Sequence, residues 1–556
     1  MGLAQEFDVI VVGAGAGGMT AASVAAAEGL STLLLEKTDR VGGTTSVSGG
    51  MVWVPANPKM QAAGLADSRE QAQLYLSHTV PGEANGALRD AYLTRAPEAI
   101  EYLEARTALA FRPVVFYPDY YPDLPGATRG GRVLEPVAFD ARELGEAFGL
   151  LRPPLPEFML FGGMMVDRAD IPHFRKARRS PVSAWRVAKV LARYAHDRMS
   201  FPRGAHLVLG NALAARLLKS VVTLGVDLRT QVGVSALLAE EGRVAGVRLA
   251  DGQVARARRG VVLASGGFSN DADLRARYLP AATGPSTAGC PSNTGDGLRL
   301  GLTVGGRIAD GNTQNAYWTP VSRFRREDGT AAVYPHTVTD RGKPGMIAVD
   351  RNARRFTNEA ISYHEFVQAM FRAEAIPAFL LCDSKAMWKY GLGAIKPFTR
   401  SVDAQVESGY LARGETITAL AQALGLAPAA LEATVARYNA GARSGTDPEF
   451  NKGSNAYEKY LGDADNKPNP CVATIEHGPY YAVTLVPGDL GTSAGLRTNE
   501  HAQVLDVHGE PIAGLYACGN DMSSIMNGAY PGPGITLGPA LAFGYLAGRH
   551  LARPRN

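Results

Sequence analysis

Long apolar runs are missing from this sequence: none reaches the roughly 18 consecutive apolar residues that a membrane-crossing helix needs. Cysteine is scarce, four residues in 556, at positions 290, 382, 471 and 518. That spacing fits no zinc-ligand set, CxxC redox pair or CxxCH haem attachment, and it suits a reducing compartment. No basic segment, apolar leader core or small-residue cleavage site precedes the strand-like run at Phe7, so cytoplasmic placement is expected. An excess of one charge is lacking too. The 57 basic and 53 acidic residues leave a surplus of +4, which makes no case for a nucleic-acid partner. Apolar residues at 46%, charged residues at 20% and a mean hydropathy of -0.08 exclude a disordered, collagen-like or membrane-bundle chain. At about 100 to 200 residues per domain the length allows two to four domains.

What the chain has in excess is glycine, 63 residues or roughly 11% against a usual ~7%. Phe7 to Val12, FDVIVV, suits a strand buried on both faces of a parallel sheet. GAGAGG follows at once, then an alanine-rich helix over Met19 to Glu28 with Gly29 as its C-cap, then a second buried strand over Thr32 to Leu35. Farther on, a helix over Ala212 to Leu224 precedes strands joined by EEGR and ADGQ turns, and Arg259 to Ala264 returns to the buried-strand pattern. From Tyr278 to Pro487 the periodicity weakens, with short helices such as Ile417 to Leu424. Strands over Ala502 to Val507 and Gly514 to Ala517 and a helix over Leu537 to Leu551 resume the first pattern. The expected fold is α/β: a Rossmann-like nucleotide-binding domain, discontinuous over residues 1–277 and 488–556, with an α+β catalytic domain inserted at 278–487. The basic stretch from Ser180 to Met199 reads as a solvated helix face, with membrane-surface contact as the alternative.

Gly13, Gly15 and Gly18 form GxGxxG between strand and helix, where free helix N–H groups and the dipole would meet a pyrophosphate. Glu36, followed by Lys37, closes the second strand 23 residues after Gly13, where a carboxylate accepts from ribose hydroxyls. Next comes GGTTSVSGG, in which Gly43, Thr44, Thr45, Ser48, Gly49 and Gly50 offer small hydroxyls and bare backbone to a flat isoalloxazine. A flexible loop is the competing reading. With no histidine or cysteine in this stretch, noncovalent FAD is expected. The turn NTGDG, which holds Asp296, is similar to a flavin-proximal turn of known flavoproteins, and an ordinary turn is its alternative. Gly519, Asn520 and Asp521 could bind the ribityl chain after the strand GLYAC, and Leu537 heads the closing helix.

The stretches LLLEKTDRVGGTTSVSGGMVWVP and YPGPGITLGPALAFGYLAGRHL resemble the flavin-dependent 3-ketosteroid Δ1-dehydrogenases, within the wider succinate dehydrogenase and fumarate reductase flavoprotein group. RGAHLVLGNALAARLL, NEAISYHEF, DPEFNKGSNAYEKYLGDADNKPNP and VPGDLGT are similar to the same family, and YPGPG and GDLGT are the most specific. The resemblance implies FAD, a substrate held between flavin and inserted domain, and four working residues. Tyr530 and Gly534 match the pair that holds the substrate carbonyl and Tyr363 matches the proposed base. Tyr120 matches the tyrosine supporting that base, with the adjacent Tyr121 leaving the register open.

Chemistry at these positions is coherent without the family. Removing two hydrogens beside a ketone needs donors on the carbonyl, a base for the α-proton and an acceptor for the β-hydride. Tyr530 supplies a phenol, and because Pro531 and Pro533 lack N–H, backbone donors are limited to Gly532, Gly534 and Ile535. A packing aromatic is the bland reading of each tyrosine. His364 is a rival base, expected to point away from Tyr363 in an extended segment. The expected activity is desaturation of a cyclic ketone, a 3-oxosteroid at its 1,2-bond, with an external electron acceptor such as a quinone. Ser493 and Ala494 replace the lysine and glycine that follow GDLGT in steroid enzymes, so a smaller cyclohexanone-type ketone is the alternative. A non-catalytic flavin carrier is the other. Reduction of an unsaturated acid falls, because GDLGTSAG holds no histidine and YPGPG no arginine.

Overall fold

The computed structural model describes residues 5–167 and 170–554. Its first sheet is built on five parallel strands in the order Pro511–Ala517, Val254–Leu263, Gln5–Val12, Thr32–Leu35 and Asp227–Arg229. Gln503–Leu505 adds an antiparallel edge, and the hairpin Val234–Glu240 with Arg243–Leu249 pairs onto Val254–Leu263. Strand lengths and register are what place the site. Val12 lies opposite both Leu35 and Leu263, and Leu263 lies opposite Ala517, so four carboxyl ends stop at one level. Ligands of open α/β sheets bind beyond such ends.

The first helix, Ala16–Ala27, starts three residues earlier than the alanine run suggests, because Gly15 is the N-cap and the GAGAGG segment itself turns into helix. It packs against the closing helix Leu537–Ala552 and against Leu209–Thr223. A second sheet, antiparallel throughout, runs in the order Ala331–Pro335, Ala316–Arg325, Tyr480–Thr492, Ala378–Asp383 and Met346–Val349, with Leu411–Gly414 also on the central strand. That central strand continues through Pro487 to Thr492, so GDLGT is strand and joins the two sheets' surroundings. The fold is thus α/β with a mixed, mainly parallel sheet and a separate antiparallel one. No helix among the described residues is long and apolar enough to cross a membrane.

The inserted sheet is stapled by buried charge. Arg355 donates to both Glu359 oxygens at 2.9 Å and to Asp447 at 2.7 and 2.8 Å, and Lys452 lies 3.3 Å from Glu359. Burial works to raise the Glu359 carboxyl, yet the two cations hold it below its ordinary value. The cluster ties NEAISY to DPEFNKG, two segments far apart in sequence. Removing one member of a buried ion pair strands the other charges, at a cost of about 3 to 5 kcal/mol. Arg355→Ala is therefore expected to unfold the inserted sheet at clearly lower urea; an unmoved urea transition would contradict this.

Candidate active site

At the strand ends the backbone leaves room where a dinucleotide belongs. Gly13 has φ +105°, and a side chain there would sit 2.3 Å from the Ala264 carbonyl oxygen, so only glycine closes this turn. Gly18 passes the Gly13 carbonyl at a distance that also excludes a side chain. Gly15, Gly43, Gly49 and Gly519 meet nothing within 4 Å, so these backbones border open space. Glu36 accepts from the Ala14 amide at 3.1 Å and from both the amide and hydroxyl of Thr38 at 2.9 Å, which fixes its carboxylate at the end of the second strand. Lys37 forms a 2.6 Å ion pair with Asp296 across the mouth of this region.

The GGTTSVSGG stretch is not a flexible loop but a short helix, Gly43–Val47. Thr45 accepts from the Ala16 amide at 3.1 Å, and Thr44 from the Cys290 amide at 2.9 Å and the Asn293 side chain at 3.0 Å. Ser48 donates to the Thr45 carbonyl and accepts from the Gly50 amide. These hydroxyls shape the cradle by tying it to its neighbours. Asp521 departs from the expected ribityl role: buried, it turns inward to accept from Ser265 and from the Gly267 amide at 3.0 Å, and burial pushes its carboxyl up to about 6. Gly519, Asn520 and Leu537 line the cavity.

Tyr120, Tyr363 and Tyr530 meet, although their segments are far apart in the chain. The Tyr120 hydroxyl donates to Tyr363 at 2.9 Å, and the Tyr530 ring stacks on Tyr120 at 5.7 Å and meets Tyr363 edge-on at 5.3 Å. The Tyr363 and Thr536 hydroxyls lie close enough to the Tyr530 phenol to oppose the rise that burial causes there. Burial drives the Tyr363 and Tyr120 phenols well above their ordinary pKa, with like neighbours adding to it, and burial raises Tyr530 as well. At rest all three are neutral. Gly534, at φ +96°, gives its carbonyl to the amides of Trp53 and Gly538, and a side chain there would lie 2.6 Å from the Met51 carbonyl oxygen.

Tyr363 and His364 begin the helix Tyr363–Arg372 rather than lying in an extended segment. Ser362 caps it, accepting from the Glu365 amide at 3.2 Å, and S-x-x-E is a helix-start signature present in ISYHEF. His364 is removed as a base. It is fully buried, its Nδ1 accepts from the Trp318 amide at 3.1 Å, and burial pushes its pKa down to about 3. Tyr121 hydrogen-bonds Glu365 at 2.7 Å, so it braces the helix while Tyr120 faces the cluster. Sequence reasoning gave no role to Tyr117, Tyr457 or Arg341. Tyr117 lines the cavity, and the Tyr457 ring packs 4.7 Å from Tyr120. Arg341, buried and held by four backbone carbonyls, sets a positive charge whose field reaches Tyr457 and Tyr120. The aromatic run in SNAYEKY was the one available signal.

One cavity of about 1090 Å³ takes in both the nucleotide cradle and the tyrosine cluster. Beyond Tyr530 and Gly534 its wall is mainly apolar, with Leu155, Leu160, Met165, Phe174, Leu392 and Ile395, and it also carries Glu157, Asp340, Lys343 and Lys396. Such a shape, a glycine-rich cradle opening onto donors and an apolar chamber, suits a flavin with a hydrophobic ketone.

Comparison with known proteins agrees. A family model described as an FAD binding domain matches residues 8–537. The chain is 40% identical to a 4-oxocyclohex-2-ene-1-carboxylate 5-dehydrogenase of Sinomonas cyclohexanicum over 98% of its own length and 94% of that protein's. It is 38% identical to a 3-oxosteroid 1-dehydrogenase of Mycobacterium tuberculosis, covering 99% and 98%. This chain belongs to the 3-ketosteroid dehydrogenase family of FAD-binding flavoproteins. The crystal structure of the family's Sterolibacterium denitrificans 3-ketosteroid delta1-dehydrogenase, in complex with 1,4-androstadiene-3,17-dione, superimposes with a TM-score of 0.92 at 39% identity and 99% coverage of both chains. Membership makes the protein an FAD-dependent CH–CH oxidoreductase, a desaturase of cyclic ketones. Within that family, Glu36 should hold the nucleotide. Loss of a hydrogen bond to a charged group costs about 1.5 to 3 kcal/mol, so Glu36→Ala should raise the Kd of the apoprotein for FAD about 10- to 100-fold in a fluorescence titration; an unchanged Kd would contradict this assignment.

Proposed function

We propose that this protein desaturates the 1,2-bond of a 3-oxosteroid and holds its FAD without a covalent bond. The observation that carries the substrate class is the cavity wall. Its apolar side chains extend well past the space one ring needs, and each of its cations is engaged. Lys37 pairs with Asp296, Lys343 donates to the Gly462 carbonyl at 2.8 Å, and Lys396 donates to the Met159 carbonyl. Of the three, Lys37 meets a carboxylate and the other two meet carbonyls, so the case for a steroid over an oxocyclohexanecarboxylate rests on the apolar wall and not on its cations. The names of the 3-oxosteroid relatives support the same reading.

FAD, when bound, supplies the acceptor for the hydride that leaves the β-carbon. The remaining work falls to the chain. The Tyr530 hydroxyl and the Gly534 amide donate to the ketone oxygen and stabilise the enolate as the α-proton leaves. Tyr363, in the minor form that has already lost its own proton to water, receives the α-proton, and the Tyr120 hydroxyl, donating to it, stabilises that phenolate. The apolar wall orients the ring system and keeps water from the enolate. Turnover would then call on an external electron acceptor such as a quinone.

The lining supports noncovalent attachment: among the described residues the cavity wall contains no histidine or cysteine that would tether a flavin. Denatured protein passed over a filter should therefore lose its yellow colour to the filtrate, whereas colour retained on the polypeptide would contradict the proposal. Substrate class and donor are tested together by anaerobic stopped-flow reduction of the bound flavin. With burial worth about 0.8 kcal/mol per CH₂, a 3-oxosteroid should exceed 4-oxocyclohexanecarboxylate in reduction efficiency by about a hundredfold or more. Tyr530→Phe should retain flavin and lose about 10² to 10³ in rate, the usual effect of one oxyanion donor. A faster reaction with the carboxylate would overturn the steroid reading, and an unchanged rate in Tyr530→Phe would remove Tyr530 from the mechanism.

A further inference from the structure

Between the helices Ser384–Tyr390 and Asp403–Glu407 the chain makes a tight turn in which Leu392 and Ile395 each give an amide to the other's carbonyl at 3.1 Å. Both side chains line the apolar part of the cavity. The amides at the tip of the turn are taken by buried groups: Gly393 donates to Asp340 at 3.1 Å and Ala394 to the Tyr410 hydroxyl at 2.8 Å.

Asp340 and Tyr410 are the two ends of one buried chain. His336 Nδ1 lies 2.6 Å from Asp340, His336 Nε2 lies 2.8 Å from the Ser322 hydroxyl, and Ser322 lies 2.9 Å from the Tyr410 hydroxyl. Ser322 and His336 are fully buried and Asp340 nearly so. Burial works to raise the Asp340 carboxyl, yet His336 and Arg341 hold it below its ordinary value, so it serves as an acceptor. One ordering of hydrogens then satisfies every member: Ala394 donates to Tyr410, Tyr410 to Ser322, Ser322 to Nε2, and Nδ1–H to Asp340. Asp340, His336 and Ser322 share the bonding pattern of a nucleophilic triad, but neither Ser322 nor His336 lines the cavity, and the Ser322 hydroxyl is engaged on both sides. The chain therefore acts on a ligand only through the turn it holds.

We propose that Asp340, His336, Ser322 and Tyr410 are positioning residues for substrate selection, fixing the 392–395 turn as a wall for the rings beyond the reacting ketone. Without them the amides of Gly393 and Ala394 lose their acceptors, and the turn must move to find others. The chain also joins two stretches of wall, since residues of 334–340 line the same cavity. Space behind the turn is tight: a side chain at Gly393, φ +57°, would collide with the Tyr410 hydroxyl. This role rests on the substrate reading above, because a single-ring ketone held at Tyr530 has no further rings to lay on the wall.

Ser322→Ala and Tyr410→Phe each remove one oxygen from the chain. In anaerobic stopped-flow reduction of the holoenzyme, either should raise the half-saturating concentration of a 3-oxosteroid about tenfold. The limiting rate, and both constants for cyclohexanone, should change less than about twofold. Amide hydrogen exchange over residues 391–396 should quicken about tenfold. Because one missing link opens the whole chain, the double variant should lose about as much as either single one. An unchanged steroid constant, unchanged exchange, an equal loss with cyclohexanone, or additive losses in the double variant would overturn the proposal. Should Tyr410→Phe lose its flavin, Ser322→Ala decides by itself. If the protein oxidises no 3-oxosteroid, binding of a 1,4-dien-3-one steroid, read from the flavin spectrum, separates the two claims. Binding about tenfold weaker in Ser322→Ala would uphold the wall and remove only the substrate reading, whereas no binding by the unchanged protein would overturn both.

Discussion

The carbonyl oxygen of Pro531 is the point on which the site depends. It accepts at once from the Tyr120 amide at 3.1 Å and from the Tyr75 hydroxyl at 2.6 Å, and so ties the YPGPG loop to the segment carrying Tyr120. Both are braced from behind by Asp119, which is buried and accepts from the Trp53 indole at 2.7 Å and from Arg132 at 2.9 Å. Arg132 reaches on to Asp67 at 2.7 Å. Trp53 closes the ring by giving its amide to the Gly534 carbonyl. The phenol of Tyr530, the amide of Gly534 and the hydroxyl of Tyr120 are thus placed by one buried framework, and loosening any part of it would move all three.

Burial gives this framework its chemistry and its difficulty. Packing the phenols against one another in a dry site makes each a strong donor to a developing oxyanion, because no water competes for it. The same burial holds Tyr363 neutral far into the alkaline range, which opposes its use as a base. Two features offset that cost. Tyr120 donates to the oxygen that would carry the charge in the proposed mechanism, and the buried Arg341 places a fixed cation among the cluster's neighbours. His364 could not serve instead, since its Nδ1 lone pair is already committed to Trp318.

Local pattern made part of this legible in the sequence. The strand FDVIVV, the glycine turn and Glu36 lie within one βαβ unit, where short-range sterics and periodicity decide the outcome, and the parallel sheet follows from them. Tyr363 was readable as a residue but not in its setting, although the capping signal in ISYHEF was present and outweighs the extended reading. What stayed hidden is long-range. Nothing near position 521 tells that its carboxylate turns toward Ser265, and the choice between Tyr120 and Tyr121 is made by Glu365, more than two hundred residues away. The pairing of Arg355 with Asp447, and the apolar wall drawn from both domains, likewise exist only once the sheets have assembled.

Loss of α-deuterium from a labelled saturated ketone, followed anaerobically beside flavin reduction, isolates proton removal from hydride departure. In the unchanged protein washout should rise with pH through the alkaline range, about tenfold per unit while the phenolate is the minor form. Tyr363→Phe should keep its FAD and bind ketone yet abolish both washout and flavin reduction. Full washout by the Tyr363→Phe protein would place the base elsewhere and contradict the role proposed for this tyrosine.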